Sequence, residues 1–467
     1  MVSMRHQSRF YRFLWEVGHS PLRLTELLQF LVLGWILMST LIGFGGFLEF
    51  GAPMVGVSKW LCVLASLHAL AIVFCKDRPR IQLEALLPLP FLLYAWINNQ
   101  FISPTPWAGA PVLIVCLQVY CVFLVVLNGI HGRRSQKWAL ILFQFVITLA
   151  LFAGFFQYYL FPDWMPVAER MRNPAYAHGA SGFLQDPISL GGILLLGIPL
   201  WLLMMVKHFR ARPSWILQGF LGLALMLGFS ICSHRPGLAI LLAVLVSLPF
   251  LMTANWRVRR NLWAYLFLIL FVGGILIWLG TQDLRDRFLY YLQYSGDALA
   301  SESRSIALGQ FFENALFGQG LGSFSHSWEA TASGFDGTSV YVHSAFLGLL
   351  AELGILGFLL AALPLAFYLF KGLSLWRSLP HLFVNKEVQG RMNKLPRRHP
   401  SRRKLERDLG KMPTPKAVSG ALCLGLAAFL VYQAWDYSLR LPIVLMLVAV
   451  MAGILVTNGR SSQRQSG

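Results

Sequence analysis

The chain has 467 residues, of which 56% are hydrophobic and only 13% charged, with a formal net charge of +19. Soluble domains carry about 25% charged residues, so a large water-soluble core is excluded. The positive charge does not indicate nucleic acid, because it is concentrated in short segments between long apolar runs, the pattern that orients membrane helices.

The N-terminal segment carries Arg5, Arg9, Arg12 and Arg23 ahead of an apolar run that begins at Leu27. No small-residue cleavage pattern closes that run, which predicts an uncleaved first helix and not a removed signal peptide. Apolar runs then follow at about 27–45, 58–75, 83–101, 109–129, 138–161, 187–206, 215–232, 237–254, 262–280, 342–370, 417–435 and 441–457. A bilayer crossing needs roughly 17–25 such residues. The prediction is an all-α integral membrane protein of about twelve transmembrane helices, a single polytopic domain over 1–467 with its bundle at 27–457.

The connecting segments alternate in charge. With the N-terminus, one set comprises Lys76–Arg80, Arg133–Lys137, Lys207–Arg212, Arg257–Arg260, Lys371–Lys416 and the C-terminal Arg460 and Arg464, and it holds 31 of the 39 Lys and Arg residues. The other set holds Arg170, Arg172, Arg235, Arg285, Arg287, Arg304 and Arg440, while Lys59 lies at a border. Basic segments stay in the cytoplasm, so both termini are expected inside, with anionic lipid headgroups as partners of the charge. The six cysteines lie in or at the edge of apolar segments, so no disulfide framework is indicated.

Two connections are long. The 371–416 segment is basic, polar and punctuated by Pro396, Pro400, Pro413 and Pro415, and reads as a cytoplasmic loop, partly disordered. The 281–341 segment keeps aromatic residues such as Phe288, Tyr290, Phe311, Phe324 and Trp328, with apolar positions at helical spacing after Arg304. It reads as a helical periplasmic cap between helices 9 and 10, with Arg304 opening its helix. A shorter periplasmic segment, 162–186, is proline-rich.

Polar residues at or within the membrane layer are costly and therefore informative. In Ser233-His234-Arg235-Pro236-Gly237 there is almost no loop between two runs, so Arg235 stands near the periplasmic boundary. There it is either a snorkelling arginine in a tight turn or a fixed cation whose guanidinium fork fits phosphate oxygens. His343 follows the cap at the start of the tenth helix and can accept a proton near neutral pH. Structural histidines are common at such places. Glu352 lies nine residues on, about 13 Å deeper and half a turn around the helix; it is expected to hydrogen-bond a neighbouring helix and not to pair with His343. Gly318-Gln319-Gly320-Leu321-Gly322 lacks the lysine and the strand–helix context of a phosphate loop and reads as a turn back toward the membrane.

Four stretches, in this order, resemble the O-antigen ligase and polymerase (Wzy-type) family of bacterial membrane glycosyltransferases over roughly residues 170–370. They are Ser181–Pro187, Ser233–Gly237, the segment from Arg304 through Ala315–Phe324, and His343–Gly357. The resemblance implies transfer of a glycan from undecaprenyl diphosphate to a hydroxyl of lipid A-core (ligase, preferred) or of another glycan (polymerase). It implies no metal and no cofactor. Carried over, Arg235 and Arg304 hold the diphosphate and His343 is the general base. Relatives carry an arginine shortly before the Ser-Gly-Phe stretch, where His178 and Gly179 stand here. Arg170 or Arg172 is then the substitute, and His178, His234 and Glu352 are further candidates. The alternative is a twelve-helix solute transporter or flippase. Such transporters place their long loop between helices six and seven, where only Lys207–Ser214 stands here, and often show weak internal symmetry, which is not visible.

Overall fold

A computed structural model of the chain describes residues 30–38, 40–41, 83–129, 133–160, 184, 187–208, 222, 224, 227–229, 231–232, 235–252, 256–279, 298–324, 342–377 and 415–463. Among these residues the secondary structure is helical, without strands. In chain order the helices are α1 (Leu83–Leu86), α2 (Leu89–Phe101), α3 (Pro106–Gly129), α4 (Arg133–Tyr159), α5 (Pro187–His208), α6 (Arg235–Met252), α7 (Trp256–Leu279), α8 (Ala298–Glu313), α9 (Ala345–Arg377), α10 (Pro415–Tyr432) and α11 (Pro442–Gln463). A single 3-10 turn, Ser438–Arg440, joins the last two.

Three helical stretches are long and apolar enough to cross a membrane: Pro106–Gly129, Ser135–Tyr158 and Ala345–Leu375. The apolar parts of α5, α6, α7, α10 and α11 are shorter. Large apolar side chains also face outward along several helices, among them Trp35, Phe145, Phe152, Phe267, Phe271, Leu359, Leu363 and Phe370. A water-soluble monomer rarely leaves such a surface uncovered, whereas lipid covers it at no cost.

At the centre, α10 packs on α5, α6, α9 and α11, while α11 also lies against α3 and α9. Phe143, Ile147, Leu151, Phe429 and Tyr432 are among the largest fully buried side chains of this core. Glycines allow the closest approaches: a Cβ on Gly425 would stand 2.7 Å from the Leu196 carbonyl oxygen.

The structure amends three expectations. The 83–101 run is interrupted at Leu87 and Pro88, giving α1 and α2 in place of one helix; proline cannot donate to the ladder. The helix expected to stop at 370 continues to Arg377, so the basic segment begins later than composition indicates. Lys371 is anchored there by an ion pair with Glu84, and Tyr368 Oη donates to the Glu84 carbonyl at 3.0 Å. Third, the helix expected to open at Arg304 starts at Ala298, so Arg304 lies inside it. Ala298-Leu299-Ala300-Ser301-Glu302 contains mostly good helix formers and extends the helix backward. The run 58–75, and the remainder of 162–186, 281–341 and 371–416, lie outside the described residues.

The long helix α9 is broken near its start. Gly354 adopts φ 64°, ψ −173°, a region that essentially only glycine occupies. A Cβ there would collide with the Leu316 carbonyl and stand 2.7 Å from the Gly318 nitrogen.

Candidate functional site

The break in α9 frees carbonyl groups, and buried backbone carbonyls need partners. The Gly318–Gly322 segment supplies these. Gln319 N–H donates to the Ala351 carbonyl and Gly320 N–H to the Glu352 carbonyl, each at 2.9 Å. Tyr94 Oη of α2 donates to the Leu353 carbonyl at 2.9 Å and the Phe317 carbonyl at 3.1 Å. Leu321 N–H donates to Asn98 Oδ1 at 2.8 Å, and Gly322 N–H to Glu352 Oε2 at 3.1 Å. The glycine-rich run thus spends its amides on the protein itself, as a docking turn and not as a phosphate cradle.

Immediately before this turn lies α8. Ala300, Ser303, Ala307 and Gln310 recur at helical spacing and are buried, on a helix that packs against α9. Ser303 Oγ donates to the Ala300 carbonyl at 3.1 Å and accepts the backbone N–H of His343 at 3.3 Å. Arg304 is the next residue. It is half-buried, and its Nε donates to the Ala300 carbonyl at 2.9 Å. Two candidates separated by 38 residues in sequence are therefore brought to one junction.

His343 is buried, only 2% exposed, two residues before α9 begins. Ser344 caps that helix, its Oγ accepting the Leu347 N–H at 3.4 Å. Ala345 N–H donates to the carbonyls of Asp436 at 2.8 Å and Gln433 at 3.0 Å. The connection between α10 and α11 therefore seats the start of α9. The Tyr437 ring meets the His343 imidazole edge to face, with centroids 5.5 Å apart and planes at 86°.

This connection is held from within. Gln433 Oε1 accepts the Leu439 N–H at 2.8 Å, and its Nε2 donates to Ser438 Oγ at 2.9 Å. Asp436 Oδ1 accepts the Tyr437 N–H at 2.8 Å. Burial pushes the Asp436 carboxyl up to about 6, against the opposing effect of bonds from Ser438, Tyr437 and Gln433. On the α5 side, a Cβ on Gly192 would stand 2.8 Å from Ser438 Oγ and 3.2 Å from Asp436 Oδ2, so the turn lies close against the α5 backbone.

Glu352, 1% exposed, accepts from Arg440 Nη1 at 2.8 Å. A neighbouring helix was the expected partner; the structure instead gives the 3-10 turn, through Arg440, and Gly322 N–H of the glycine-rich segment. His343 itself precedes the helix, and Glu352 turns its carboxylate to Arg440 and Gly322.

Arg235 is the first residue of α6, described by its backbone. Cys232, just before the Ser233–Gly237 stretch, faces Gly191 beside Tyr432 Oη. Arg170, Arg172, His178 and His234 lie outside the described residues.

Sequence reasoning missed Gln433, Asp436 and Tyr437, and took Arg440 only as a topology charge. The signal was present: Gln433-Ala434-Trp435-Asp436-Tyr437-Ser438-Leu439-Arg440 places an acid, a base and three further polar groups in a connection too short to be a solvated loop. Among the described residues no group of three or more His, Cys, Asp or Glu could hold a metal ion. No protein-family model and no curated protein matches the chain.

Proposed function

We propose that the chain transfers a glycan from undecaprenyl diphosphate to an acceptor hydroxyl at the periplasmic face of the bacterial inner membrane, as an O-antigen ligase in preference to a polymerase. In this reading about twelve helices cross the membrane, with both termini in the cytoplasm, and α8 belongs to a periplasmic cap. His343 takes the proton of the acceptor hydroxyl as its oxygen attacks the anomeric carbon. The bond from that carbon to the diphosphate oxygen breaks, and undecaprenyl diphosphate leaves with the electron pair. Arg304 and Arg235 bind the leaving group, whose growing charge is best stabilised by fixed cations in a poorly hydrated site. General-base assistance of this kind contributes about 10²–10⁴ in rate.

The observation that supports this reading is the hydrogen bond between His343 N–H and Ser303 Oγ, which joins the imidazole-bearing segment to the helix turn that carries Arg304. The test is a deletion strain complemented with wild type or His343→Ala. The expected result is loss of polymer on lipid A-core and accumulation of lipid-linked polymer, with the variant still in the membrane. Single-repeat products would assign a polymerase. Normal glycan attachment with His343→Ala would reject the role of the imidazole, and unchanged glycans with altered solute uptake in the deletion strain would indicate a transporter.

A further inference from the structure

The α10–α11 connection has no part in the mechanism above, yet it places an aromatic ring against the imidazole of its proposed base. Three facts define the contact. Tyr437 is buried, 4% exposed, with its ring edge to face with the His343 imidazole at 5.5 Å. Its backbone is clamped on both sides, by Asp436 Oδ1 on its N–H and by the Arg440 N–H on its carbonyl, each at 2.8 Å. The same connection grips Ala345 N–H through the Asp436 and Gln433 carbonyls, so ring and imidazole are carried on two segments tied together two residues away.

We infer that Tyr437 is a positioning residue, whose ring, held by the Gln433–Leu441 turn, fixes the orientation of the His343 imidazole. The inference rests on the transferase reading only for its kinetic consequence; the contact itself is independent of that reading. The His343 imidazole turns about two side-chain bonds, and the Tyr437 ring packs against it edge to face. The Ser303 bond fixes its backbone, not its ring. An aromatic partner at 86° blocks rotation of the ring plane, and the orientation of a base decides whether it reaches its proton. The ring, not the hydroxyl, does this, so phenylalanine should substitute and an aliphatic residue should not.

The test uses the full chain reconstituted in lipid, with Tyr437→Leu and Tyr437→Phe. Two quantities are read: kcat and KM for transfer, and the rate at which diethyl pyrocarbonate modifies His343, followed by mass spectrometry of its peptide. The expected result for Tyr437→Leu is a kcat lower by roughly tenfold, the scale of an aromatic pair, with KM within about twofold and faster modification of His343. Tyr437→Phe should match wild type in both. An unchanged modification rate in Tyr437→Leu overturns the inference. So does a changed modification rate with unchanged kcat while His343→Ala abolishes transfer, because the ring would then not set the working orientation of the base. If His343→Ala transfers as well as wild type, the transferase role of His343 has failed, and the modification rates alone decide whether Tyr437 holds the ring. Tyr437→Met, close in length and flexible, repeats both measurements if the leucine variant is not recovered from membranes.

Discussion

Replacing Arg440 by methionine should be among the most destabilising changes in the chain, and more so than replacing its partner. Glu352 is 1% exposed and Arg440 14%. The carboxylate accepts from Arg440 Nη1 at 2.8 Å and from Gly322 N–H at 3.1 Å. Arg440→Met leaves a buried carboxylate with a single amide donor, and stranding one member of a buried pair costs about 3–5 kcal/mol. Glu352→Gln keeps an acceptor for Gly322 N–H and leaves a guanidinium that can turn toward solvent or headgroups, so a loss of about 1–3 kcal/mol is expected, the cost of a broken charged hydrogen bond. The double variant Arg440→Met/Glu352→Met removes both charges and should recover part of the loss. Unfolding by sodium dodecyl sulfate in mixed micelles, followed by tryptophan fluorescence, ranks the three. Equal stability of Arg440→Met and wild type would show that the pair does not hold the turn to α9. Greater damage in the double variant than in Arg440→Met would refute the stranded-charge reasoning.

Two further substitutions probe the same region. Gly354→Ala should cost about 1–3 kcal/mol from backbone conformation alone, with the overlap against Leu316 adding to it; the same unfolding assay checks this, and near-wild-type stability would mean that the break is not obligatory. Asp436 has its carboxyl raised from 3.8 to about 6 by burial. A raised carboxyl favours the fold most below its unfolded value, and that contribution is lost as pH rises from about 4 to about 6. The total is roughly 3 kcal/mol, so Asp436→Asn should flatten the stability profile across that window and be the more stable form at pH 7. An unchanged slope in the variant would refute this.

The helices were legible wherever apolar runs were long and uninterrupted. Runs 109–129, 187–206 and 417–435 coincide with α3, α5 and α10 within a few residues, because burial or lipid contact on every face leaves composition as the governing signal. The break at Gly354 was not legible. The surrounding Leu353-Gly354-Ile355 is as apolar as an intact helix, and the cause is a partner segment more than thirty residues earlier. The role of Glu352 was half legible: its cost inside an apolar run demanded a partner, but periodicity on one helix cannot name a residue 88 positions away. Arg304 was misplaced for a local reason, since the alanines before it carry no apolar period yet have high helix propensity.

The break in α9 and the seat of His343 form one mechanical unit. The Ala351, Glu352 and Leu353 carbonyls freed at the break are taken by Gln319, Gly320 and Tyr94. Those bonds fix the segment that ends α8, and therefore the height of Ser303 and Arg304 along α9. From the other side, Arg440 ties Glu352 to the turn that carries Tyr437. Glu352 is thus bonded through its side chain to both the 318–322 segment and the α10–α11 turn, and the latter also touches His343. A straight helix would satisfy its own carbonyls and would have nothing to offer the 318–322 segment. The break at Gly354 thus lets one stretch of α9 tie the 318–322 segment to the turn that carries Tyr437, the ring partner of His343.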